Sequence, residues 1–388
     1  MSFGNIPKNL VDAILDWSGT YLKSPVLFST FGSFRLGGNV DGSDIDVLLI
    51  VPKHERHYVF QSFLQYLQAR PQIFHNTVFV SSAFVPVLKF HVGNFDIDLV
   101  ICCVNCDTLN TNIPIREYSL IAKQEEDLRS LQGSIATEKI LEYVREPVIF
   151  SRVLRAVKIW AIRRNIYSNQ LGLLNGVGLA IMTAYICNTT PPPLQNTVVE
   201  YYYFTQFIRV FRSWNWSTTH VSLNMITNIP VKRNFMCVYT PLDPPLNCNF
   251  NTGFHQFRMI MSEIEYAYTS NFNVLSTFPS YFQSDDCKYV LITISSGKEE
   301  MNMFKLFIET KLKLLSNVVP TSSTLTFCTK CWRLNPNHVM YVCKIKDLET
   351  FSGIQMLMSK LQTESSVRSG RINVDVVDKS LLPPFLSH

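Results

Sequence analysis

FGSFRLGGNVDGSDIDVLLIV, residues 31–51, opens on flexible backbone and closes on an apolar run. Gly32–Ser33 sets a hydroxyl beside a residue with no side chain, just before a glycine-rich turn. Such a turn can aim amide hydrogens and the Ser33 hydroxyl at phosphate oxygens. Gly37–Gly38 suits a left-handed turn and a close approach of backbone to phosphate. Asp44 and Asp46 follow two residues apart, so on a strand they face the same way. Two carboxylates projecting together repel unless a cation or proton intervenes. Oxygen-rich sites that also hold phosphates suit Mg²⁺, with Mn²⁺ as its substitute. Gly, Asn and Asp favour turns as well, so an isolated pair of this kind reads as a polar hairpin tip. Here Asp46 stands at the mouth of the apolar run Val47–Val51, and a charge in that place needs a partner.

A third carboxylate comes from further along the chain. Phe84–Val92 and Phe95–Cys102 are β-like and meet at Gly93–Asn94, a tight turn that makes them antiparallel neighbours. The period of two in Phe95–Val100 puts Asp96 and Asp98 on one face. The pattern by itself leaves open which of them joins Asp44 and Asp46. Three such carboxylates can support a two-metal site, in which one cation activates an attacking hydroxyl and both stabilise the transferring phosphorus centre.

Outward from this core the chain separates into residues 1–114, 115–277 and 278–388. In the first region Val59–Leu67 reads as a short helix covering one sheet face. The second reads mostly helical, with Val148–Ile162, Leu173–Ile186 and Phe204–Phe211 apolar at helical spacing. Pro191–Pro193 ends a helix, and Thr240–Asn251 reads as an ordered loop. A new pattern starts near Phe278. Tyr289–Ile294 is strand-like, Lys298–Val318 is one long amphipathic helix, and Val339–Ile345 is a strand. Phe351–Leu361 is a helix and Ile372–Val377 is extended, which together fit a small α/β sandwich.

At 388 residues the chain is long enough for two or three domains with cores that need no metal or disulfide staple. With 47% of residues apolar and 17% charged, wholesale disorder and a histone-like basic protein are excluded. The net charge of +5 is compatible with a polyanionic partner. Ten cysteines without a regular framework fit free thiols in a reducing compartment, and the CxxC of Cys328 and Cys331 lacks a second pair for zinc. The amino terminus has no basic segment leading into an apolar one, and Leu171–Ile186 is shorter than the ~20 residues that span hydrocarbon. Neither secretion nor a membrane partner is expected.

Gly32–Ser33–Phe34–Arg35–Leu36–Gly37, Asp44–Ile45–Asp46, Phe84–Val85–Pro86–Val87–Leu88–Lys89–Phe90 and Ile97–Asp98–Leu99 follow one another in a familiar order. In this order, and over most of residues 28–270, the chain resembles the eukaryotic-type poly(A) polymerases of the DNA-polymerase-β-like nucleotidyltransferase superfamily. The resemblance implies Asp44, Asp46 and Asp98 as the catalytic, metal-holding carboxylates and leaves Asp96 as a neighbour. Ser130–Leu131–Gln132–Gly133 is similar to the family's Ser-Leu-Asn-Gly motif, which implies Gln132 near the ribose. Leu154–Ala161 and Tyr167–Ser168–Asn169 resemble the helix and turn that hold incoming ATP. By that carry-over Lys158 and Tyr167 contact triphosphate and Asn169 lies near adenine. Gly32, Ser33, Gly176 and Val177 complete the implied nucleotide contacts. Asn175 stands where the first glycine of a Gly-Gly-Val motif is expected. Because Gln132 reaches the ribose with one more methylene than the family's Asn, and Asn at 175 tolerates a left-handed backbone, the expectation is a displaced nucleotide pocket that keeps its ATP activity.

The resemblance implies an α+β multidomain protein: a nucleotidyltransferase mixed-sheet domain, a helical middle domain to which the N terminus also contributes, and a C-terminal RNA-recognition-like α/β sandwich. Its implied activity is that of a polynucleotide adenylyltransferase adding AMP from ATP to RNA 3′ ends, with Mg²⁺ as cofactor and RNA 3′-processing proteins as partners. RNA uridylyltransferase and an inactive RNA-binding or scaffold protein are the alternatives. In the last region Tyr289–Ile294 lacks the aromatic signatures of single-strand readers, and Lys311, Lys313 and Arg333 are the candidate backbone contacts. The nucleus is the expected compartment. A short stretch before Gly32 and an early end make a compact cytoplasmic or viral version the alternative.

Overall fold

Ile45–Pro52 is apolar at nearly every position, and a strand of that composition needs cover on both faces. It has it. In the computed structural model, which describes residues 6–81, 83–194, 197–224, 235–272, 287–298, 300–367, 369–378 and 382, the chain forms two compact units. One comprises Met1–Arg155, Thr183–Pro191 and Thr240–Leu246, and the other Ala156–Met182, Pro192–Tyr239 and Asn247–His388. The sequence boundary expected at 277/278, and the change of pattern near Phe278, lie outside the described residues.

The first unit contains α1 (Lys8–Trp17), β1 (Leu27–Phe31), α2 (Gly32–Arg35), β2 (Ile45–Pro52), α3 (Arg56–Gln68), β3 (Phe74–Val80), β4 (Val87–Val92), β5 (Phe95–Val104) and α4 (Glu125–Tyr143). Its sheet has the order β1-β2-β5-β4-β3, and only β2 and β5 run parallel. Ile45, Val47, Leu49 and Val51 pack with Leu10, Ile14 and Trp17 of α1 and Val59 and Phe63 of α3. Leu48 and Ile50 face the opposite way, with Val100, Cys102, Tyr118 and Leu131. Alternation along one strand therefore feeds two cores. The buried Arg56 guanidinium ties α3 to the other layer by pairing with Asp127 of α4, whose carboxylate also accepts the Cys103 N–H at 2.8 Å. The fourth strand begins at Val87 rather than at Phe84, because Pro86 cannot donate to a ladder.

Helices α5 (Pro147–Arg163) and α6 (Gly176–Thr189) carry the chain through the division between the units. The second unit adds α7 (Val199–Arg212) and α8 (Phe254–Thr269), then β6 (Lys288–Ser295), α9 (Met301–Leu312), α10 (Leu315–Val318), β7 (Leu325–Asn335), β8 (His338–Ile345), α11 (Leu348–Glu364) and β9 (Arg371–Val377). The four strands form an antiparallel sheet of order β7-β8-β6-β9, the β-α-β-β-α-β arrangement once α9 and α10 are taken together. Two expectations are corrected here. Lys298–Val318 is not one helix: at Lys313–Leu314 the amides of Leu314 and Ser316 bond three residues back instead of four, and the chain overwinds. β7 was not expected, because its register slips between Phe327 and Cys331 and the bulge breaks the alternation. Among the described residues no helix is long and apolar enough to cross a membrane.

Candidate active site

The parallel pairing of β2 and β5 sets Asp46 directly opposite Asp98, with Asp44 just ahead of the first residue of β2. On the other side of β5 the two-residue turn at Gly93–Asn94 fixes the antiparallel register. Counting outward from it puts Val92 opposite Phe95, His91 opposite Asp96 and Lys89 opposite Asp98. Lys89 forms an ion pair with Asp98, and His91 sits against Asp96. The two aspartates share a face but not an environment: the Asp98 side chain is 20% exposed and that of Asp96 47%. Burial pushes the Asp98 carboxyl above the ordinary range, Lys89 opposes that, and the charge of Asp44 adds to it.

Gly32 makes room for this pair. It is left-handed at φ +64°, and a Cβ built on it would lie 2.3 Å from Asp46 Oδ2. Its N–H donates to Thr137 Oγ1 at 2.9 Å, and that hydroxyl donates to the Gly133 carbonyl at 2.8 Å. Gly32 thus offers space for Asp46, while its amide is committed to α4. Gly133 lets α4 press on Phe31, whose ring would be 2.7 Å from an added Cβ, and Gln132 is half-buried beside it. The carbonyl of Ser33 accepts the Gly38 N–H at 2.9 Å. At Gly37–Gly38 the backbone closely approaches α5. Added Cβ atoms would meet Ser151 Cβ at 2.7 Å and Leu154 Cδ2 at 2.6 Å.

In the second unit Lys158 is buried on α5, and its ammonium lies 5.6 Å from the ring centroid of Tyr167. A Cβ on Gly176 would stand 3.2 Å from the Tyr167 hydroxyl. Three of the expected nucleotide contacts therefore come together within this unit. Asn169 is exposed on the turn between Tyr167 and Leu174, and Val177 is exposed in the first turn of α6. Asn175 corrects the sequence reading. It is not left-handed; its Oδ1 caps α6 by accepting the Gly178 N–H at 2.9 Å. Its amide donates to Asn249 Oδ1 at 2.8 Å and to the Cys248 carbonyl at 3.0 Å. The cap also explains why α6 starts at Gly176, past Leu173.

Sequence reasoning passed over Lys89, Thr137 and Asn249 as functional neighbours. For Lys89 the signal was present, since the length of the turn alone sets it opposite Asp98. Thr137 and Asn249 act through partners far along the chain and carry no local mark. A cavity of 380 Å³ in the first unit, lined by Phe28, Arg35, Ile115, Ile135 and Glu138 among others, includes none of the expected site residues.

Among the described residues no three His, Cys, Asp or Glu side chains form a ready cluster for a metal ion. Asp46 and Asp98 nevertheless fit a divalent cation by their chemistry. Neighbouring carboxylates offer hard oxygen ligands. Asp98 already holds a cation, the Lys89 ammonium, and the charge of Asp44 beside it adds to what positive charge would relieve.

The family model for the poly(A) polymerase nucleotidyltransferase domain matches residues 20–144, and that for the poly(A) polymerase central domain matches residues 149–277. Poly(A) polymerase PAPalpha of Candida albicans is 30% identical over 313 residues, covering 74% of this chain and 54% of its own. The poly(A) polymerase of Dictyostelium discoideum is 32% identical over 321 residues, covering 75% of this chain and 38% of its own. The chain thus spans about half or less of the length of these relatives. A solved structure of terminal uridylyl transferase 4 from Trypanosoma brucei aligns over 70% of this chain and 94% of its own, with a TM-score of 0.48 and 14% identity.

Proposed function

Because the chain belongs to the poly(A) polymerase family, we propose that it extends RNA 3′ ends with AMP from ATP, without a template. The observation that carries this reading is the register of β2 and β5, which brings Asp46 and Asp98 side by side with Asp44 at the strand mouth. Asp44, Asp46 and Asp98 are the residues that would hold Mg²⁺, or Mn²⁺ in its place. Bound there, the cation supplies a lowered pKa at the primer 3′-hydroxyl and charge neutralisation at phosphorus.

The primer hydroxyl gives up its proton to solvent as its oxygen attacks the α-phosphorus of ATP in line, the new phosphodiester forms, and pyrophosphate leaves with the electron pair of the broken bond. Lys158 and Tyr167 attract and bond the triphosphate, with the Ser33 hydroxyl as a further donor. Gln132 meets the ribose, and Asn169 with Gly176–Val177 meets the base. Lys89 holds Asp98 in one orientation through their ion pair. Within this reading residues 1–114 perform the transfer, 115–277 handle the nucleotide, and 278–388 form the RNA-recognition-like module.

Primer extension with ATP, UTP, CTP and GTP supplied separately at equal concentration, followed by sequencing of the products, tests it. Adenosine tails with ATP, and little extension with the others, are expected. Products dominated by uridine would make the chain a uridylyltransferase on the same scaffold.

A further inference from the structure

Helix α5, which carries Lys158, ends in a motif that is built around one asparagine. The Ile166 N–H reaches back to the Ala161 carbonyl at 2.9 Å and the Asn165 N–H to that of Ile162 at 3.1 Å. Asn165 itself is left-handed at φ +60°. This is the pairing of a helix closed by a left-handed residue, a place that usually takes glycine. A glycine would satisfy the backbone, so the side chain of Asn165 needs its own explanation.

It is buried and fully engaged. Its amide donates to the Phe327 carbonyl at 2.8 Å, and its Oδ1 accepts the Thr329 N–H at 2.8 Å and the Thr329 hydroxyl. Phe327 is the last residue of β7 in register with β8 before the bulge, Thr329 lies within the bulge, and β7 is an edge strand whose outer backbone groups have no strand to pair with in this sheet. The far side of the same turn is also held. Asn251 Nδ2 donates to the Asn169 carbonyl at 3.4 Å, and Lys313, at the break after α9, donates to Asn251 Oδ1 at 2.7 Å. Gln256 donates to the Leu171 carbonyl at 2.9 Å.

We propose that the C-terminal sheet sets the nucleotide turn Tyr167–Asn169, with Asn165 as the positioning residue that joins the turn to β7. The inference rests on the reading that Tyr167 and Asn169 hold the nucleotide. Under it the C-terminal sheet acts on nucleotide affinity and leaves the grip on RNA unchanged.

The test uses the full chain, with steady-state extension at varied ATP and varied primer, and equilibrium titration with ATP in the presence of Mg²⁺. Asn165→Gly keeps the left-handed backbone and removes the side-chain tie. It should raise the KM and the Kd for ATP about tenfold, change kcat less than about twofold, and leave the primer KM unchanged. Thr329→Val, on the sheet itself, keeps the backbone donor and should raise both ATP constants about twofold to threefold. Asn165→Asp keeps the acceptor but sets a buried carboxylate oxygen against the Phe327 carbonyl, and should raise both ATP constants at least as far as Asn165→Gly. Tyr167→Phe serves as the control for the underlying reading. If it weakens ATP binding while Asn165→Gly and Thr329→Val do not, the inference is overturned and the reading stands. If neither Tyr167→Phe nor Asn165→Gly affects ATP, both are overturned. A raised primer KM with unchanged ATP constants would make the sheet an RNA reader and contradict the inference.

Discussion

The two sheets of this protein are alike in their middle strands and opposite at their margins. β2 and β6 both carry buried apolar residues: Val47, Leu48, Leu49 and Ile50 in one, and Tyr289, Val290, Ile292 and Ile294 in the other, where Leu291 and Thr293 are half-buried. Around β2 the apolar run stops at Asp46, and its neighbour β5 brings Asp98 beside it with Lys89 across the next pairing. Among the described residues the strands around β6 set no two carboxylates opposite each other, and the charged pair at their end is Lys288 with Asp378. Tyr289, Met340 and Val342, on the face that an RNA-reading sheet would present, are buried with Cys328, Leu291 and Trp332. The opposite face lies under α9, where the Tyr341 hydroxyl donates to Glu309 at 3.1 Å. Charge left at a strand mouth can do chemistry, whereas the buried side chains of the second sheet serve its packing.

That contrast can be broken most severely at Asp46. Asp46→Ala should slow primer extension about 10³-fold, as loss of a group that stabilises transition-state charge does, while thermal melting stays near that of the wild type. An inactive variant that also unfolds early would assign Asp46 to stability. Gly32→Ala comes next. Its Cβ would collide with the Asp46 carboxylate at 2.3 Å and its backbone would be strained at φ +64°, so the carboxylate must move. A displacement of that size should cost about 10²-fold in kcat, measured under saturating ATP and primer.

In the second sheet the expected effect is on stability. Tyr289→Ala should lower the unfolding free energy by about 3–5 kcal/mol in urea titrations, because it empties a buried aromatic site. Tyr289→Phe should leave primer affinity unchanged, and weakened RNA binding by that variant would reopen the face as a reader. The smallest effect is at the cap of α11. Asp347 accepts the Thr350 N–H at 2.8 Å, which holds its carboxyl below the usual carboxylate range. Asp347→Ala should cost about 1 kcal/mol. A carboxyl whose folded pKa is depressed stabilises the fold above its unfolded pKa, and that contribution is lost as pH falls through the folded value. The gap between wild type and variant should therefore be full at neutral pH and close in acid, which urea midpoints at both pH values would show.

The same contrast governs what could be read from residue order. β2, the turn joining β4 to β5, α3 and α5 form within a few residues of where period and turn chemistry place them, because each pattern is complete over a short stretch. Lys89 opposite Asp98 follows from the length of one turn. What escaped depends on partners distant in the chain. The packing of Gly37 and Gly38 on Ser151 and Leu154 cannot be seen without the helix that meets them. Asn175 is a cap because Asn249 and Cys248 hold its amide, so the glycine-like role expected of it fails. β7 hides its alternation in a bulge, and the break at Lys313 falls where that side chain turns to Asn251.

The most direct test of the account is single-turnover addition of AMP to an RNA primer by Asp98→Asn and Asp96→Asn, each beside its melting curve. These two aspartates share a strand face and differ in burial, in partner and in distance from Asp46. Asp98→Asn should be slower by about 10³-fold and Asp96→Asn by less than about threefold, both with near-native melting. Equal losses at the two positions, or a wild-type rate for Asp98→Asn, would contradict the assignment of the chemistry to the meeting of β2 and β5.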